Sequence, residues 1–489
     1  MATVWPGRRA APSEVPLFRR TSRRDVPTVA TGYCASRMNP SLPNYFLGDM
    51  PPEAVLTPNL ITEACLTLRR NRIEHLAKRP TEEILQLVDE LGRLWRDPNY
   101  RFRKEAASSP SSGFTRQTLE AGLDDFFRDM TYAQLKEFLV GELGDDRRLD
   151  AFSSVPAPRG RSRMLFCRGP ELIAHICPAN LPLPALMSMI CGLFVRSAQF
   201  VKCASGASLI PRLFAHSIHE LDHKLASCLE VACWPGGSIP LEQALFAEAD
   251  CVTATGSDDA IAAIRERLPG RVRFLGYGSR VSLGFVTAPA LSQGGAARLA
   301  GDAARDVAAW DQRGCLSPHA FFVETGGAVS PEGFAELLSS ALATLEASQP
   351  RSPLSTPQAA AIADRRALYQ LRAANSAGTR VWSSPDSTAW TVVFESDASF
   401  QLSCQDRFVY VKPVKDLGEL LAVLEPVRER IACVGLAADS SAPHSALDLA
   451  RWGVPRICPL GRMQQPPLAW PRDGRPALAD LVTWSEWES

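Results

Sequence analysis

The sequence lacks a net charge, a long apolar run and a closely spaced cysteine pair. Its 53 Lys and Arg residues equal its 53 Asp and Glu residues, so no overall basic field indicates a nucleic-acid partner. No run approaches the roughly 20 apolar residues that a membrane-spanning helix needs. The 13 cysteines include no C-x-x-C pair and follow no secretory leader, which favours a reduced, cytoplasmic protein over a disulfide framework.

The patterns that are present divide the chain into regions. Residues 1–57 are rich in Pro, Arg and Ser and predict a disordered or irregular tail. Residues 58–160 carry apolar residues at helical spacing and predict a helical region, with Thr81 as a candidate helix cap. From about residue 161, short apolar runs alternate with helical patterns, which is typical of an α/β sheet with crossover helices. No G-x-G-x-x-G fingerprint marks a dinucleotide site in this part.

Residues 308–324, AAWDQRGCLSPHAFFVE, place a thiol between a polar loop and a β-prone run. A buried core residue is the ordinary interpretation of a single free cysteine. The four residues before Cys315, however, are poor core formers, so the thiol is expected to face a cleft just before a buried strand. A nearby guanidinium or amide dipole could favour the thiolate there. Cys315 is therefore the candidate nucleophile.

Three motifs, DQRGC, CPANLP and RICPLGRMQQPPL, resemble those of the acyl-CoA reductase (LuxC) family, the fatty-acid reductases of the aldehyde dehydrogenase superfamily. The resemblance covers roughly residues 163–488. It implies an aldehyde-dehydrogenase-like α/β fold with a Rossmann-like cofactor domain, an α/β catalytic domain and a helical N-terminal region. The implied boundaries are 161–287 for the NADPH-binding domain, 288–440 for the catalytic domain with Cys315, and 441–489 for a C-terminal segment that closes the core.

The resemblance also implies an activity and a set of site residues. The activity is NADPH-dependent reduction of a long-chain acyl-CoA to an aldehyde through an acyl intermediate on Cys315. Asn180, in PANLPLPAL, corresponds to the asparagine that holds the oxyanion. Lys202 corresponds to the lysine that meets the adenosine ribose, and Ser205 replaces a glutamate of NAD-preferring relatives, which favours NADPH. Taken alone, Asn180 would be a turn residue and Lys202 a solvated strand end.

The segment TATGS at 253–257 resembles the turn that meets the cofactor's pyrophosphate. It adds Thr255, Gly256 and Ser257 as cofactor-binding candidates. Such a turn can bind phosphate at a helix N-terminus, or Ser257 can merely cap the following helix. Further on, hydrolytic aldehyde dehydrogenases carry a glutamate that activates water, and in LGYGSRVS the aligned residue is Gly276. Without that base, water should attack an acyl-enzyme slowly, which favours a thioester reductase.

Other functions stay open from the sequence. HELDH at 219–223 matches the H-E-x-x-H zinc motif, with His216 on the same helix face, so a zinc hydrolase is an alternative. The charged residues around it favour an exposed helix instead. A reductase of carrier-protein-bound acyl groups and a catalytically inactive scaffold are further alternatives.

One histidine and three tryptophans are weaker site candidates. His319 could assist the thiol, and Trp470, Trp484 and Trp487 could line an acyl site or close a core. The expected partners are an acyl-CoA or carrier-protein thioester, an acyl-transferase or synthetase, and further copies of the chain in a homo-oligomer.

Overall fold

A computed structural model describes residues 42–51, 53–109, 113–155, 163–292 and 294–488. Most of the predicted tail, residues 1–41, lies outside the described residues. Within the described ranges, no helix is long and apolar enough to cross a membrane.

The N-terminal region is helical, as predicted. Its helices are α1 (Pro58–His75), α2 (Thr81–Arg96), α3 (Arg101–Ser108), α4 (Arg116–Arg128) and α5 (Tyr132–Leu143). The prediction of Thr81 as a cap is wrong, because Pro80 holds that position and the Thr81 hydroxyl accepts a hydrogen bond from Arg196 instead. The sequence analysis missed α3, a short helix that buries only Phe102, Arg103 and two alanines.

Fifteen strands and ten more helices occur in the described residues. The strands are β1 (Ser153–Val155), β2 (Arg163–Arg168), β3 (Leu172–Ile176), β4 (Ala198–Cys203), β5 (Leu229–Cys233), β6 (Cys251–Thr255), β7 (Arg273–Tyr277), β8 (Val281–Val286), β9 (Pro318–Glu324), β10 (Thr379–Ser383), β11 (Thr391–Glu395), β12 (Phe408–Val414), β13 (Ile431–Ala437), β14 (Ile457–Pro459) and β15 (Thr483–Glu488). The helices are α6 (Leu183–Phe194), α7 (Leu209–Leu221), α8 (His223–Ala226), α9 (Ile239–Glu248), α10 (Asp258–Arg267), α11 (Ala296–Ala308), α12 (Pro331–Ser348), α13 (Thr356–Asn375), α14 (Leu417–Leu424) and α15 (Ala442–Trp452).

The first large sheet is parallel, with the strand order β5-β4-β3-β6-β7. Side chains alternate between its two faces because successive residues of a strand point to opposite sides. One face packs against α1 and α9 through Ala174, Val252 and Ala254. The other face packs against α6 and the N-terminal helices. Parallel sheets are normally covered on both faces, which explains the apolar runs that the sequence shows here.

The second large sheet has the order β10-β11-β12-β9-β8-β13-β14 and is parallel except for β10. Helices α11 and α12 cover one face, while α13 and α14 cover the other. The chain passes from the first sheet to the second between Tyr277 and Val281, so β8 pairs in the second sheet although the predicted cofactor domain ran to residue 287. Strand β14, from the predicted C-terminal segment, also joins this sheet.

A third, antiparallel sheet has the order β1-β2-β15. Every residue of β15 is exposed. Trp484 and Trp487 lie on this strand with 40% and 53% of their surface exposed. Neither expectation for these two tryptophans is met, because a strand paired only with β2 at the sheet edge places them in contact with solvent rather than in an acyl site or a core.

Candidate active site

Cys315 lies in the turn between α11 and β9, where its half-buried side chain lines a cavity of about 250 Å³. The cavity walls come from α4, α6, the strand ends of the first sheet and the segment 464–481. Most of the wall is apolar and includes Phe126, Met130, Leu181, Met187, Leu468 and Trp470. The thiol therefore faces a space that suits a hydrocarbon chain.

The polar residues before Cys315 are buried, contrary to the expectation of an open polar loop. Asp311 is fully buried, and Gln312 is 1% exposed. The Gln312 side-chain amide donates to the carbonyl oxygens of Pro318 at 2.7 Å and Phe408 at 2.9 Å. These bonds satisfy the buried amide N–H groups and join the nucleophile turn to the first residues of β9 and β12.

Two runs of left-handed backbone support this turn. Trp310, Asp311 and Gln312 have φ angles of 53°, 49° and 63°. Gln405, Asp406 and Arg407, just before β12, have φ angles of 63°, 54° and 65°. Non-glycine residues rarely adopt this conformation, so surrounding contacts must hold both runs in place.

Two ion pairs connect these runs. Arg407 contacts Asp311 at 2.9 Å, and Arg313 contacts Asp406 at 2.7 Å. The sequence analysis assigned no role to residues 403–407. The sequence contains one feature that could have indicated this contact: two similar charged segments, DQR at 311–313 and QDR at 405–407, each lie close before a buried strand.

Asn180 lies against the nucleophile turn. Its side-chain amide donates to the Arg313 carbonyl oxygen at 2.8 Å. The structure thus brings together two predicted site residues, Asn180 and Cys315, from the two large sheets. Ser282, which the sequence analysis missed, donates its hydroxyl to the Cys315 carbonyl oxygen at 2.8 Å and fixes the backbone of the nucleophile.

Burial and charge act in opposite directions on the Cys315 thiol. Burial raises its pKa, and this effect outweighs the guanidinium groups of Arg472 and Arg280, which lower it. Asp473 raises the pKa further. The expected guanidinium is present, but the free protein does not stabilise the thiolate overall, because desolvation penalises the charged form more strongly.

The cofactor-binding candidates lie near the carboxyl ends of β4 and β6. Lys202 is 4% exposed, so its interpretation as a solvated lysine is wrong, and its ammonium lies 5.9 Å from the centre of the Trp234 ring. Ser205 is exposed in the loop after β4. Ser257 accepts a hydrogen bond from the Ala260 N–H at 3.3 Å and caps α10.

The remaining candidates beside this cap are Thr255 and Gly256. The Thr255 hydroxyl accepts a hydrogen bond from Arg472 at 3.3 Å. The Gly256 N–H donates to the Tyr277 carbonyl oxygen at 3.2 Å. Both residues therefore connect the end of β6 to neighbouring segments.

The surroundings of Lys202 fit a nucleotide. A Cβ atom added at Gly206, Gly236 or Gly237 would meet nothing within 4 Å, so no described residue covers these exposed loops after β4 and β5. The Trp234 indole N–H is buried and has no hydrogen-bond partner among the described residues. Ligands of open parallel sheets bind at the carboxyl ends of the strands, which is where these groups lie.

Gly276 does not face the cavity. The sequence-based interpretation that Gly276 takes the place of the water-activating glutamate is therefore corrected. A Cβ atom there would meet Ile261 and Phe274, both at 2.8 Å, on the opposite face of β7. The residues of β7 that line the cavity are Leu275 and Tyr277. Neither carries a carboxylate, so β7 supplies no water-activating base to this cavity.

The HELDH segment does not form one helix. Asp222 has extended backbone angles (φ −152°, ψ 94°), ends α7 and caps α8. His216 is buried with its Nε2 atom 2.8 Å from the Asp49 carboxylate. Glu220 and His223 are exposed, in agreement with the expectation of an exposed segment. His219 stacks on Tyr45. Across the described ranges, no group of three His, Cys, Asp or Glu residues is placed to hold a metal ion.

His319 is hydrogen-bonded to Ser403 and does not line the cavity that Cys315 faces. Its Nδ1 atom accepts a hydrogen bond from the Ser403 N–H at 3.2 Å. Burial lowers the pKa of His319 to about 4, so the imidazole is neutral at pH 7.

Comparison with known proteins identifies the family. A family model described as acyl-CoA reductase (LuxC) matches residues 76–484. The chain belongs to the acyl-CoA reductase (LuxC) family. Its fold is also similar to that of an NAD-dependent benzaldehyde dehydrogenase from Corynebacterium glutamicum, with a TM-score of 0.65 and 14% identity over 89% of this chain and 91% of that chain. A bifunctional proline utilization A protein gives a TM-score of 0.69 and 17% identity over 91% of this chain and 46% of that chain.

Curated relatives of this LuxC-family chain share about a quarter of its residues or less over the matched regions. A long-chain acyl-protein thioester reductase of Aliivibrio fischeri is 25% identical over 59% of this chain and 57% of its own length. A long-chain acyl-protein thioester reductase 2 of Photobacterium leiognathi is 22% identical over 63% of this chain and 62% of its own length. The matches thus span less than two thirds of each relative. The predicted family and aldehyde-dehydrogenase-like fold are confirmed, and the predicted enzyme class, an acyl thioester reductase, is that of the family.

Proposed function

We propose that the protein reduces long-chain acyl thioesters to aldehydes with NADPH, through an acyl group carried on Cys315. The observation that carries this proposal is the half-buried thiol in the wall of a largely apolar cavity, with the Asn180 amide fixed against the same turn. The family match supports the reaction class. A cofactor domain followed by a catalytic domain is part of the same proposal, with the predicted bounds 161–287, 288–440 and 441–489 adjusted so that β8 and β14 belong to the catalytic sheet.

The residues of this chain provide the first half of the reaction. The Cys315 sulfur attacks the thioester carbonyl carbon, a new C–S bond forms, and the donor thiol leaves with the proton that Cys315 gives up. The Asn180 amide and the Cys315 N–H stabilise the oxyanion while it exists. The raised pKa of Cys315 means that its proton leaves during substrate binding or attack rather than beforehand.

The second half depends on the nicotinamide cofactor, which supplies a hydride to the carbonyl carbon of the acyl-cysteine when bound. Cleavage of the Cys315 sulfur–carbon bond would then release the aldehyde, and the Cys315 thiolate would take up one proton from solvent to regenerate the thiol. The residues that would hold the cofactor at the carboxyl ends of β4 and β6 are Lys202, Ser205, Thr255, Gly256 and Ser257. Ser205 carries no charge that would repel a 2′-phosphate, which supports NADPH over NADH.

The names of two relatives bear on the identity of the thioester donor. Two relatives are named as acyl-protein thioester reductases. This supports a protein-bound acyl group as the donor, as an alternative to acyl-CoA. An acyl-transferase or synthetase that loads this donor is the corresponding partner. Exposed Trp487 and Phe152, whose ring centres lie 5.9 Å apart, support a homo-oligomer, because exposed aromatic patches commonly mark interaction surfaces. A cytoplasmic location stays a prediction.

A turnover assay tests the proposal. Full-length protein is mixed with NADPH and acyl-CoA or acyl-carrier thioesters of increasing chain length, and absorbance at 340 nm is followed. The proposal predicts NADPH oxidation with stoichiometric aldehyde, and its loss in Cys315→Ala. Turnover that survives Cys315→Ala, or that a chelator abolishes, contradicts it. Cys404→Ala, at another partly buried thiol outside the cavity, is the matched control.

A further inference from the structure

The wall of the largely apolar cavity includes a row of hydrogen-bonded side chains that ends at Thr253. The His175 Nδ1 atom lies 2.7 Å from the Thr253 hydroxyl, and its Nε2 atom lies 3.1 Å from the Gln199 side-chain oxygen. His175 is 1% exposed and Gln199 is fully buried, while Thr253 is half-buried in the cavity wall. Burying such groups costs free energy unless each is hydrogen-bonded.

The donor and the acceptor of each hydrogen bond between Thr253, His175 and Gln199 can be assigned. Gln199 donates its amide to the Met189 carbonyl oxygen at 3.0 Å, so its oxygen is the atom that faces His175. Because that oxygen can only accept, the proton of the imidazole sits on Nε2, and Nδ1 must accept from Thr253. The imidazole is neutral, since burial lowers the pKa of His175 to about 4. The single proton of the Thr253 hydroxyl is therefore committed to His175.

Toward a ligand in the cavity, the Thr253 hydroxyl oxygen can therefore act only as a hydrogen-bond acceptor. Ser188, a second hydroxyl-bearing residue of the wall, is committed in the same way, because it donates to the Pro184 carbonyl oxygen at 2.9 Å. Tyr277 also lines the cavity and carries a third hydroxyl. A plain hydrocarbon chain cannot satisfy an acceptor, whereas a ligand with an O–H group can.

Gly192, which lies against Gln199, shows that the fold makes room for this row of hydrogen-bonded side chains. A Cβ atom added at Gly192, on α6, would lie 2.2 Å from the Gln199 side chain. Only glycine at residue 192 leaves room for the glutamine that orients His175. This row thus occupies space that an apolar pair of side chains could have filled.

We propose that the cavity takes acyl thioesters whose chain carries a hydroxyl group, and that this hydroxyl donates a hydrogen bond to the Thr253 side-chain oxygen. The inference rests on the proposed function for the thioester end of the substrate. Thr253 is then a residue that determines specificity, while His175 and Gln199 position it.

Binding, measured without turnover, tests this inference separately from the proposed function. Full-length protein is loaded with a fluorescent fatty acid, which is displaced by decanoic acid and by its monohydroxy isomers from position 3 to position 10. A single hydrogen bond should make one isomer or adjacent isomers bind about tenfold more tightly than decanoic acid. Thr253→Ser keeps the hydroxyl and should retain this preference, whereas Thr253→Val, of similar shape, should abolish it.

The outcomes are decisive in each arm. The inference is overturned if no hydroxy isomer outcompetes decanoic acid in the wild type, or if the preference persists in Thr253→Val. If Thr253→Val does not fold, Thr253→Cys replaces it, because sulfur is a weak acceptor and should also lose the preference. A protein that shows the binding preference but oxidises no NADPH with any acyl thioester contradicts the proposed function and leaves the hydroxyl site supported.

Discussion

Arg407 and Asp311 form a buried ion pair at 2.9 Å directly behind the nucleophile turn, with 1% and 0% of their side chains exposed. Each residue has a left-handed backbone conformation. Asp311 also accepts a hydrogen bond from the Ser352 N–H at 3.1 Å, and Arg407 contacts Glu346 at 2.7 Å. This pair holds together two backbone segments that would not adopt these angles alone, and it supports the turn that ends at Cys315.

Removal of the Arg407 charge should destabilise the protein strongly. Arg407→Met leaves Asp311 buried without its cation, which typically costs about 3–5 kcal/mol of unfolding free energy. Urea unfolding followed by circular dichroism measures the change. Arg451→Met breaks the exposed pair with Asp448 and should leave stability nearly unchanged. Equal, small effects of the two substitutions would show that the buried pair does not hold the turn.

Asn180→Ala should lower kcat more than it changes KM. Loss of one oxyanion donor typically reduces kcat by about 100- to 1,000-fold. Asn375→Ala is the matched control, since Asn375 also donates its side-chain amide to a backbone carbonyl, that of Leu371, but on the exposed end of α13. Steady-state kinetics with one acyl thioester give both constants. A kcat for Asn180→Ala within about twofold of wild type would remove Asn180 from the proposed oxyanion site.

The reactivity of Cys315 should increase as the pH rises above neutrality. Burial raises the pKa of the thiol, so the thiolate fraction grows through alkaline pH. Arg472→Met removes a charge that lowers this pKa and should move the profile to still higher pH. Arg475→Met, which removes a neighbouring cation over the same Tyr277 ring, is the control.

The rate of iodoacetamide labelling of Cys315, quantified by peptide mass spectrometry, measures these pH profiles. A profile that is unchanged in Arg472→Met, or shifted equally in both variants, would contradict a direct effect of Arg472 on the thiol.

His319 should make the folded state less stable in acid. Burial lowers its folded pKa to about 4 from an ordinary value of about 6.5, so the unfolded chain binds the proton first as the pH falls. Stability from this group is therefore complete above about pH 6.5 and is lost as the pH falls toward 4. His319→Asn keeps an acceptor for the Ser403 N–H but does not titrate. The difference in unfolding free energy between the two proteins should change across this range, and a constant difference would refute the assignment.

The sequence predicts the fold well because local patterns and family motifs agree. The apolar runs at β3, β4 and β6 and the helical periodicity of α2 and α12 follow from burial of one face. Ser330 caps α12 as its position before Pro331 suggests. These features depend on neighbouring residues, which a sequence displays directly.

The site was harder to predict because its decisive contacts join distant residues. Asp311 and Arg407 are 96 residues apart, and no periodicity indicates that they meet. Taken without the family resemblance, Lys202 is expected at a solvated strand end because lysine is usually exposed, yet its strand lies inside a covered sheet. Gly276 is aligned by spacing with a catalytic position, but the strand geometry shows that residue 276 points away from the cavity.

The central claim is that Cys315 carries the acyl group, and mass spectrometry tests it most directly. The protein is incubated with an acyl thioester in the absence of NADPH, quenched in acid and digested. We expect the acyl mass on the peptide that contains Cys315, its loss in Cys315→Ala, and its disappearance with release of aldehyde when NADPH is added. An acyl group found on another residue, or NADPH-dependent aldehyde formation with no adduct on Cys315, would contradict the account.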